Sequence, residues 1–212
     1  MPRNHDPHAD QPLLHDGAPV GDARLVAILL HGRGGSADDM LGLSRELGRS
    51  DVAYLAPQAS GQTWYPYPFL VPIEQNEPGL SSALRLITSL LDRLQQQAVP
   101  ADRIVLLGFS QGACLALEFA ARHARRYAAL VGLSGGLIGP PGTPRNYEGT
   151  FDGTPVFMGC SDIDAHIPLE RVQESAAVFR RMAADVDERI YPGLGHTVNR
   201  DELDAIDALL AK

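Results

Sequence analysis

Cysteine is scarce in this sequence, with only Cys114 and Cys160 among 212 residues. Folds that depend on a disulfide framework carry more cysteines in a shorter chain, so such a framework is excluded here. Cys114 lies in a helix-like segment and Cys160 at the end of a strand-like segment. Both positions suit reduced thiols in a hydrophobic core.

Long apolar runs are also missing. No uninterrupted apolar stretch approaches the roughly 20 residues that a helix needs to cross a bilayer, so we expect no integral membrane association. The first dozen residues contain Asp6, Asp10 and three prolines and lack the apolar centre of a signal peptide. These features predict a cytoplasmic protein.

Basic residues are outnumbered by acidic ones. The chain has 18 Lys and Arg against 26 Asp and Glu, for a formal net charge of −8. Nucleic-acid binding draws on clustered Lys and Arg, so no nucleic-acid partner is expected. The sequence leaves the oligomeric state open, with a homodimer as one alternative.

Residues 1–23 are polar and contain several prolines, and we interpret them as a tail plus an edge segment. His5, His8 and His15 are scattered through them without helical pairing or a nearby cysteine. A metal site needs ligands that converge, so these histidines are expected to be disordered or on the surface. The sequence predicts no metal and no other cofactor.

From residue 24 to the end, short apolar segments alternate with segments of helical periodicity. This alternation predicts one α/β domain over residues 24–212, with a mostly parallel sheet covered by helices on both faces. Helix starts at Ser36-Asp39 and Asn199-Glu202 carry the capping-box pattern. The predicted strands span residues 24–30, 52–56, 102–107, 127–133, 155–159 and 187–191.

Residues 108–112, Gly-Phe-Ser-Gln-Gly, stand at the junction of a buried strand and a helix. A sharp strand-to-helix turn needs glycine two positions before and after its central residue, because a Cβ there would clash with the neighbouring strand or helix. The turn would hold the Ser110 hydroxyl over the carboxyl edge of the sheet, where ligands of such sheets bind. The motif predicts a nucleophile elbow.

A serine nucleophile needs a base, and the base needs an orienting carboxylate. His196 lies in the Gly-Leu-Gly-His turn after the last predicted strand and is the predicted base. Two aspartates compete in the loop after the preceding strand. Asp164 is favoured as the acid because it is nearer the start of the next helix, and Asp162 would then brace the loop. His166 is predicted to line the site, with a loop residue bonded to backbone as the alternative.

Acyl transfer also needs N–H donors for the developing oxyanion, conventionally the amide after the nucleophile and one from the first glycine-rich loop. These are the backbone amides of Gln111 and Arg33. The glycines around Arg33 permit the dihedral angles that point an amide inward.

Aromatic residues make up 6% of the chain, yet four fall within six residues of the loop at 57–79. A loop this long in a compact domain is usually functional. We predict that these side chains form walls of the substrate pocket, with local core packing as the alternative. They are Trp64, Tyr65, Tyr67 and Phe69.

Four motifs together resemble those of the phospholipase/carboxylesterase group of α/β-hydrolases, which includes acyl-protein thioesterases and small bacterial carboxylesterases. They occupy residues 30–35, 108–112, 161–168 and 195–196, and the resemblance covers roughly residues 24–212. It implies a compact α/β-hydrolase fold with a minimal lid. It also implies that Ser110, Asp164 and His196 form the triad and that Arg33 and Gln111 provide the oxyanion amides. Gly35 stands where the family has aspartate.

These observations predict a serine hydrolase that cleaves carboxylic esters of small molecules without a cofactor. Bulky flat side chains in the pocket would favour short acyl or aromatic esters. Thioester or lysophospholipid hydrolysis on the same triad is the alternative among enzymes. A ligand receptor with this fold is the alternative outside them.

Overall fold

The structure is a computed structural model that describes residues 6–212. Within that range it contains seven strands and five α-helices. The strands are β1 (Leu13–Gly17), β2 (Leu25–Leu30), β3 (Val52–Pro57), β4 (Ile104–Phe109), β5 (Ala129–Leu133), β6 (Pro155–Ser161) and β7 (Asp185–Tyr191). The helices are α1 (Ala37–Leu47), α2 (Gly79–Gln96), α3 (Gln111–Arg122), α4 (Leu169–Arg181) and α5 (Arg200–Leu210).

The strands form one sheet in the order β1-β3-β2-β4-β5-β6-β7. Only β1 is antiparallel to its neighbour, and all other pairs are parallel. The predicted α/β-hydrolase architecture, a mostly parallel sheet with helices on both faces, is confirmed. Because the other six strands run in the same direction, their carboxyl ends meet at one edge.

Side-chain alternation along the strands explains why both faces are covered. Along β2, residues 26, 28 and 30 pack in the core beneath α2, α3 and α4, whereas residues 25, 27 and 29 pack in the core beneath α1 and α5. Successive strand side chains point to opposite faces, so a strand that is apolar at every position requires helices on both sides.

The two predicted capping boxes are confirmed. Ser36 and Asp39 exchange hydrogen bonds at the start of α1, and Asn199 and Glu202 do so at the start of α5. Strand ends differ from the sequence prediction by up to two residues. β4 continues to Phe109, which is paired with Leu133 of β5. Pairing between strands extends β4 beyond its local apolar pattern.

The N-terminal segment is more ordered than predicted. His5 lies outside the described residues, and His15 is exposed on β1, but His8 is buried rather than disordered or on the surface. Its Nε2 donates to the Trp64 carbonyl at 2.9 Å, and its Nδ1 accepts the Ser60 N–H at 3.1 Å. Burial lowers the pKa of His8 and so favours the neutral ring that these bonds need. The sequence prediction for His8 is wrong because its hydrogen-bond partners lie in a loop that is distant in sequence.

Among residues 6–212, no helix has both the length and the hydropathy that crossing a bilayer requires.

Candidate active site

Ser110 occupies a strained turn between β4 and α3, with φ 55° and ψ −117°. Its own N–H donates to the Leu133 carbonyl at 2.9 Å, which holds the turn against β5. The flanking glycines are required by close backbone contacts. A Cβ on Gly112 would lie 2.0 Å from the Leu30 carbonyl oxygen, and one on Gly108 would lie 2.2 Å from the Gly112 carbonyl oxygen. Only glycine allows β2, β4 and α3 to approach this closely.

The side chains of Ser110, His196 and Asp164 form a continuous hydrogen-bond chain. The His196 Nδ1–H donates to Asp164 Oδ2 at 2.7 Å, since the carboxylate can only accept. His196 Nε2 is therefore free to accept the Ser110 hydroxyl, whose Oγ lies 2.8 Å away. This arrangement allows the imidazole to remove the hydroxyl proton.

Asp164 is held as an ionised acceptor. Its side chain is fully buried, and Oδ1 accepts the N–H groups of His166 at 2.8 Å and Ile167 at 3.0 Å. Burial raises the pKa of this carboxyl, but the hydrogen bonds from His196, His166 and Ile167 outweigh burial, so its pKa lies below the usual value. The charged form can therefore balance a protonated His196.

Asp162 lies in the same loop, but its side chain forms no hydrogen bond with His196. Its Oδ1 accepts the Gly193 N–H at 2.8 Å. The two aspartates therefore have different partners: Asp164 bonds to the imidazole, and Asp162 bonds to the backbone of the turn that carries it. This geometry favours Asp164 as the acid and a bracing role for Asp162.

Two residues that sequence analysis did not assign to the site support this pair of loops. The buried Ser161 Oγ accepts the N–H of Gly195 at 3.1 Å and of Ile163 at 3.2 Å. The buried Cys160 thiol donates to Asp164 Oδ2 at 3.7 Å. Both residues lie at the end of β6, directly before the loop that carries the aspartates. No local sequence pattern indicates that Ser161 binds the turn at Gly195 or that Cys160 binds Asp164.

Arg33 and Gln111 are the residues whose backbone amides are predicted to hold the oxyanion. Both residues line the same cavity as Ser110. Gln111 is the first residue of α3, so its N–H has no acceptor within the helix. Within residues 6–212, the Arg33 N–H likewise donates to no protein acceptor. N–H groups that have no protein acceptor and belong to residues lining the same cavity as a serine hydroxyl are able to hold a developing negative charge.

The loop that carries Arg33 is fixed by His31, Trp64 and the side chain of Gln111. The Trp64 indole N–H donates to the His31 carbonyl at 2.8 Å. His31 Nε2 accepts the Ala59 N–H at 3.0 Å, and burial lowers the pKa of His31. Gln111 Oε1 accepts the Trp64 N–H at 2.9 Å and Nε2 donates to the Tyr65 carbonyl at 2.8 Å. These bonds join the glycine-rich loop, the aromatic loop and the elbow.

The aromatic side chains do not all lie where pocket walls were predicted. Tyr65 and Phe69 line the cavity at Ser110. Trp64 is fully buried in the core and does not line it, because its ring packs 4.9 Å from His31 and its indole N–H binds backbone. Tyr67 points outward and is 53% exposed, and it is also absent from the cavity lining.

The cavity at Ser110 has a volume of about 320 Å³. His166 lines it, as predicted for a wall of the site, and its ring lies 4.8 Å from that of His196. Its backbone N–H also binds Asp164, so it combines the two alternatives considered for it. A larger cavity of about 480 Å³ lies between the C-terminal ends of α2 and α3 and contains none of the predicted site residues.

Cys114 also lines the cavity at Ser110. Burial raises the pKa of its thiol to about 12, so it stays protonated and is no competing nucleophile. Within residues 6–212, no group of three or more His, Cys, Asp or Glu residues is placed to hold a metal ion.

Comparison of the sequence with known proteins identifies the family of this chain. A model of the phospholipase/carboxylesterase family matches residues 18–212. The chain belongs to this family. The family membership predicted from the four motifs is thereby confirmed, and the description of the family names ester hydrolysis as its chemistry.

Individual proteins are similar in sequence or structure to most of this chain. A crystal structure of a phospholipase/carboxylesterase from Dyadobacter fermentans is 41% identical, with a TM-score of 0.92 over 96% of this chain and 97% of that chain. An acyl-protein thioesterase 1 from Yarrowia lipolytica is 25% identical over 200 residues, covering 85% of this chain and 88% of that protein. One from Gibberella zeae is 29% identical over 140 residues, which span 65% of this chain and only 60% of that protein.

Proposed function

We propose that this protein is a serine hydrolase that cleaves carboxylic esters through an acyl-enzyme. The hydrogen-bond chain from the Ser110 hydroxyl through His196 to Asp164 carries the proposal. The order of these residues along the chain, serine then aspartate then histidine, is that of the α/β-hydrolases. Family membership supports the same chemistry.

Catalysis begins when Ser110 Oγ attacks the ester carbonyl and His196 Nε2 takes its proton. Asp164 keeps the imidazole in the required tautomer and stabilises the imidazolium that forms. The backbone N–H groups of Arg33 and Gln111 hold the tetrahedral oxyanion. His196 then returns the proton to the departing alcohol. A water molecule attacks the acyl-enzyme by the same route and releases the acid.

Labelling with a fluorophosphonate tests whether Ser110 is a nucleophile. We expect one adduct on Ser110, identified by peptide mass spectrometry, and no adduct on the Ser110→Ala variant. Ser134→Ala changes the buried serine that directly follows Leu133 at the end of β5 and should retain labelling at Ser110. An unlabelled Ser110 in folded protein would refute catalysis by this triad and favour a ligand receptor.

The wall of the cavity supports a preference for short acyl or aromatic esters. Tyr65 and Phe69 are buried in that wall, and Phe69 is held by the cation–π contact of Arg171 at 5.9 Å. Rings that are fixed in this way leave limited room in a cavity of about 320 Å³.

Across a series of p-nitrophenyl esters, we expect kcat/KM to be highest for acetate to butyrate. It should fall at least roughly tenfold for decanoate, since even one methylene that does not fit a rigid pocket costs about 1–3 kcal/mol. Rates are measured below the critical micelle concentration of each ester, and Phe69→Ala should shift the optimum to longer chains. A kcat/KM that rises steadily to palmitate would contradict this preference.

Thioester or lysophospholipid hydrolysis is the second candidate. The fungal relatives are named acyl-protein thioesterases, and the same triad would attack either bond. Matched ester and thioester substrates with the same acyl group, added to the series, would separate the two activities.

We also propose that the protein is cytoplasmic. Cys114 and Cys160 are both free and buried, which suits a reducing compartment.

A further inference from the structure

The guanidinium of Arg33 is fixed at the rim of the cavity. Its Nη1 donates to Thr63 Oγ1 at 2.9 Å and to the Pro66 carbonyl at 2.8 Å, and its Nη2 donates to the Tyr67 carbonyl at 2.8 Å. The group also lies 6.0 Å from the centre of the Tyr65 ring. Three hydrogen bonds and one aromatic contact give this exposed side chain a single defined position.

Within residues 6–212, no carboxylate lies within ion-pair distance of Arg33. The acidic residues nearest to it in sequence have other partners. Asp38 lies 3.7 Å from Arg45, and Asp39 accepts the Ser36 N–H at the start of α1. A guanidinium has five N–H donors. Three of them are used, so the Nε–H and one Nη2–H remain for a ligand.

The cavity beside Arg33 has an unusual charge for this protein. The chain as a whole carries a net charge of −8. Of residues 6–212, those that line the cavity include Arg33, His166 and His196 but no Asp or Glu. The Asp164 carboxylate is fully buried and hydrogen-bonds to His196. Among the described residues that line the cavity, Arg33 alone is permanently charged, and it has no ion-pair partner among residues 6–212.

We propose that Arg33 determines specificity by binding a carboxylate of the substrate, so that the preferred esters are anionic. This inference rests on the proposed ester hydrolysis and names its substrate class: half-esters of dicarboxylic acids, or acyl esters of hydroxy acids. A guanidinium binds a planar carboxylate through two parallel N–H bonds. The three bonds to the aromatic loop orient the guanidinium before the substrate arrives, which lowers the cost of binding.

Two pairs of matched esters test the proposal and separate its two forms. Monoethyl glutarate and ethyl 4-carbamoylbutanoate place a carboxylate or a neutral amide on the acyl side. 3-Acetoxybenzoate and 3-acetoxybenzamide place them on the alcohol side. The measured quantity is the ratio of kcat/KM for the anionic ester to that for its neutral partner, followed in a pH-stat at pH 8.

For the wild-type protein we expect this ratio to reach about 10–100 in one of the two pairs, the range that a charge-assisted bidentate bond supplies. Added NaCl should lower the ratio, because salt screens the attraction of an exposed charge. Arg33→Gln should bring the ratio to about one, and Arg33→Lys, which keeps the charge without the planar fork, should give an intermediate value.

Comparing two esters in the same enzyme removes any effect of the substitution on the Arg33 amide or on the aromatic loop. Arg45→Gln is the matched control, since Arg45 is an exposed arginine on α1 and its loss changes the net charge equally. It should leave the ratio unchanged. A wild-type ratio of one or less in both pairs, or a ratio that Arg33→Gln leaves intact, would overturn the assignment of Arg33. Loss of all turnover together with no fluorophosphonate adduct would instead refute the proposed function.

Discussion

Asp164→Asn is expected to lower kcat by about 10⁴-fold with little change in KM, the loss seen when the orienting acid of a serine triad becomes an amide. Asparagine can turn its NH₂ or its oxygen towards His196. It cannot stabilise the imidazolium, and it permits the tautomer in which Nε2 carries the proton and cannot accept the Ser110 hydroxyl. The measurement is steady-state kinetics on p-nitrophenyl acetate.

Asp162→Asn is the matched control, because it removes the same charge two residues away. The asparagine oxygen can still accept the Gly193 N–H that Asp162 binds in the wild-type protein. We therefore expect less than about a tenfold loss of kcat, within the usual effect of one neutral hydrogen bond. Thermal unfolding of both variants shows whether either has lost its fold. If Asp162→Asn were the inactive variant and Asp164→Asn the active one, the assignment of the acid would be wrong.

Gly112→Ala is expected to destabilise the protein by about 4 kcal/mol or more, which places it among the most damaging single substitutions. The added Cβ would lie 2.0 Å from the Leu30 carbonyl oxygen and 2.6 Å from the His31 carbonyl oxygen. Both contacts are with backbone, so no side chain can rotate away. For a domain of this size we expect Tm to fall by at least about 8 °C, measured by circular dichroism.

Gly42→Ala makes the same chemical change in the middle of α1, where the new Cβ would meet nothing within 4 Å. Alanine has the higher helix propensity, so this variant should be unchanged or up to about 1 kcal/mol more stable. If Gly112→Ala were as stable as Gly42→Ala, then close approach of β2 to α3 would not be what requires glycine at the elbow.

The elbow could be predicted from sequence because all its requirements are local. Gly108, Ser110 and Gly112 are close neighbours in the chain, and the strand before them and the helix after them have clear periodicities. The same holds for the capping boxes of α1 and α5. In each case the interacting groups lie within a few residues, so their types and spacing determine the contact.

The choice between Asp162 and Asp164 could not be made in that way. The two carboxylates are two residues apart in one loop, and what separates them is whether each faces the His196 ring or the Gly193 amide. Those partners come from another loop, whose position is set by the pairing of β6 with β7 and by Ser161. Tertiary contacts of this kind produce no recognisable pattern in the local sequence.

The aromatic loop was only partly predictable for a related reason. Its irregular backbone has no period of 2 or 3.6 residues, so the pattern of residues does not indicate which side chains point inward. Trp64 packs in the core, Tyr67 faces outward, and Phe69 lines the cavity. The high local content of aromatic residues identified the loop but not the direction of each ring.

The ordered N-terminal segment has a practical consequence for any shortened form of this protein. The family match begins at residue 18, which would be a natural place to cut an expression clone. Such a cut would remove β1 and His8, and the Trp64 carbonyl and Ser60 amide would lose their buried partner. Trp64 in turn supports the loop that presents the Arg33 amide. The smallest version that keeps this support therefore starts upstream of His8.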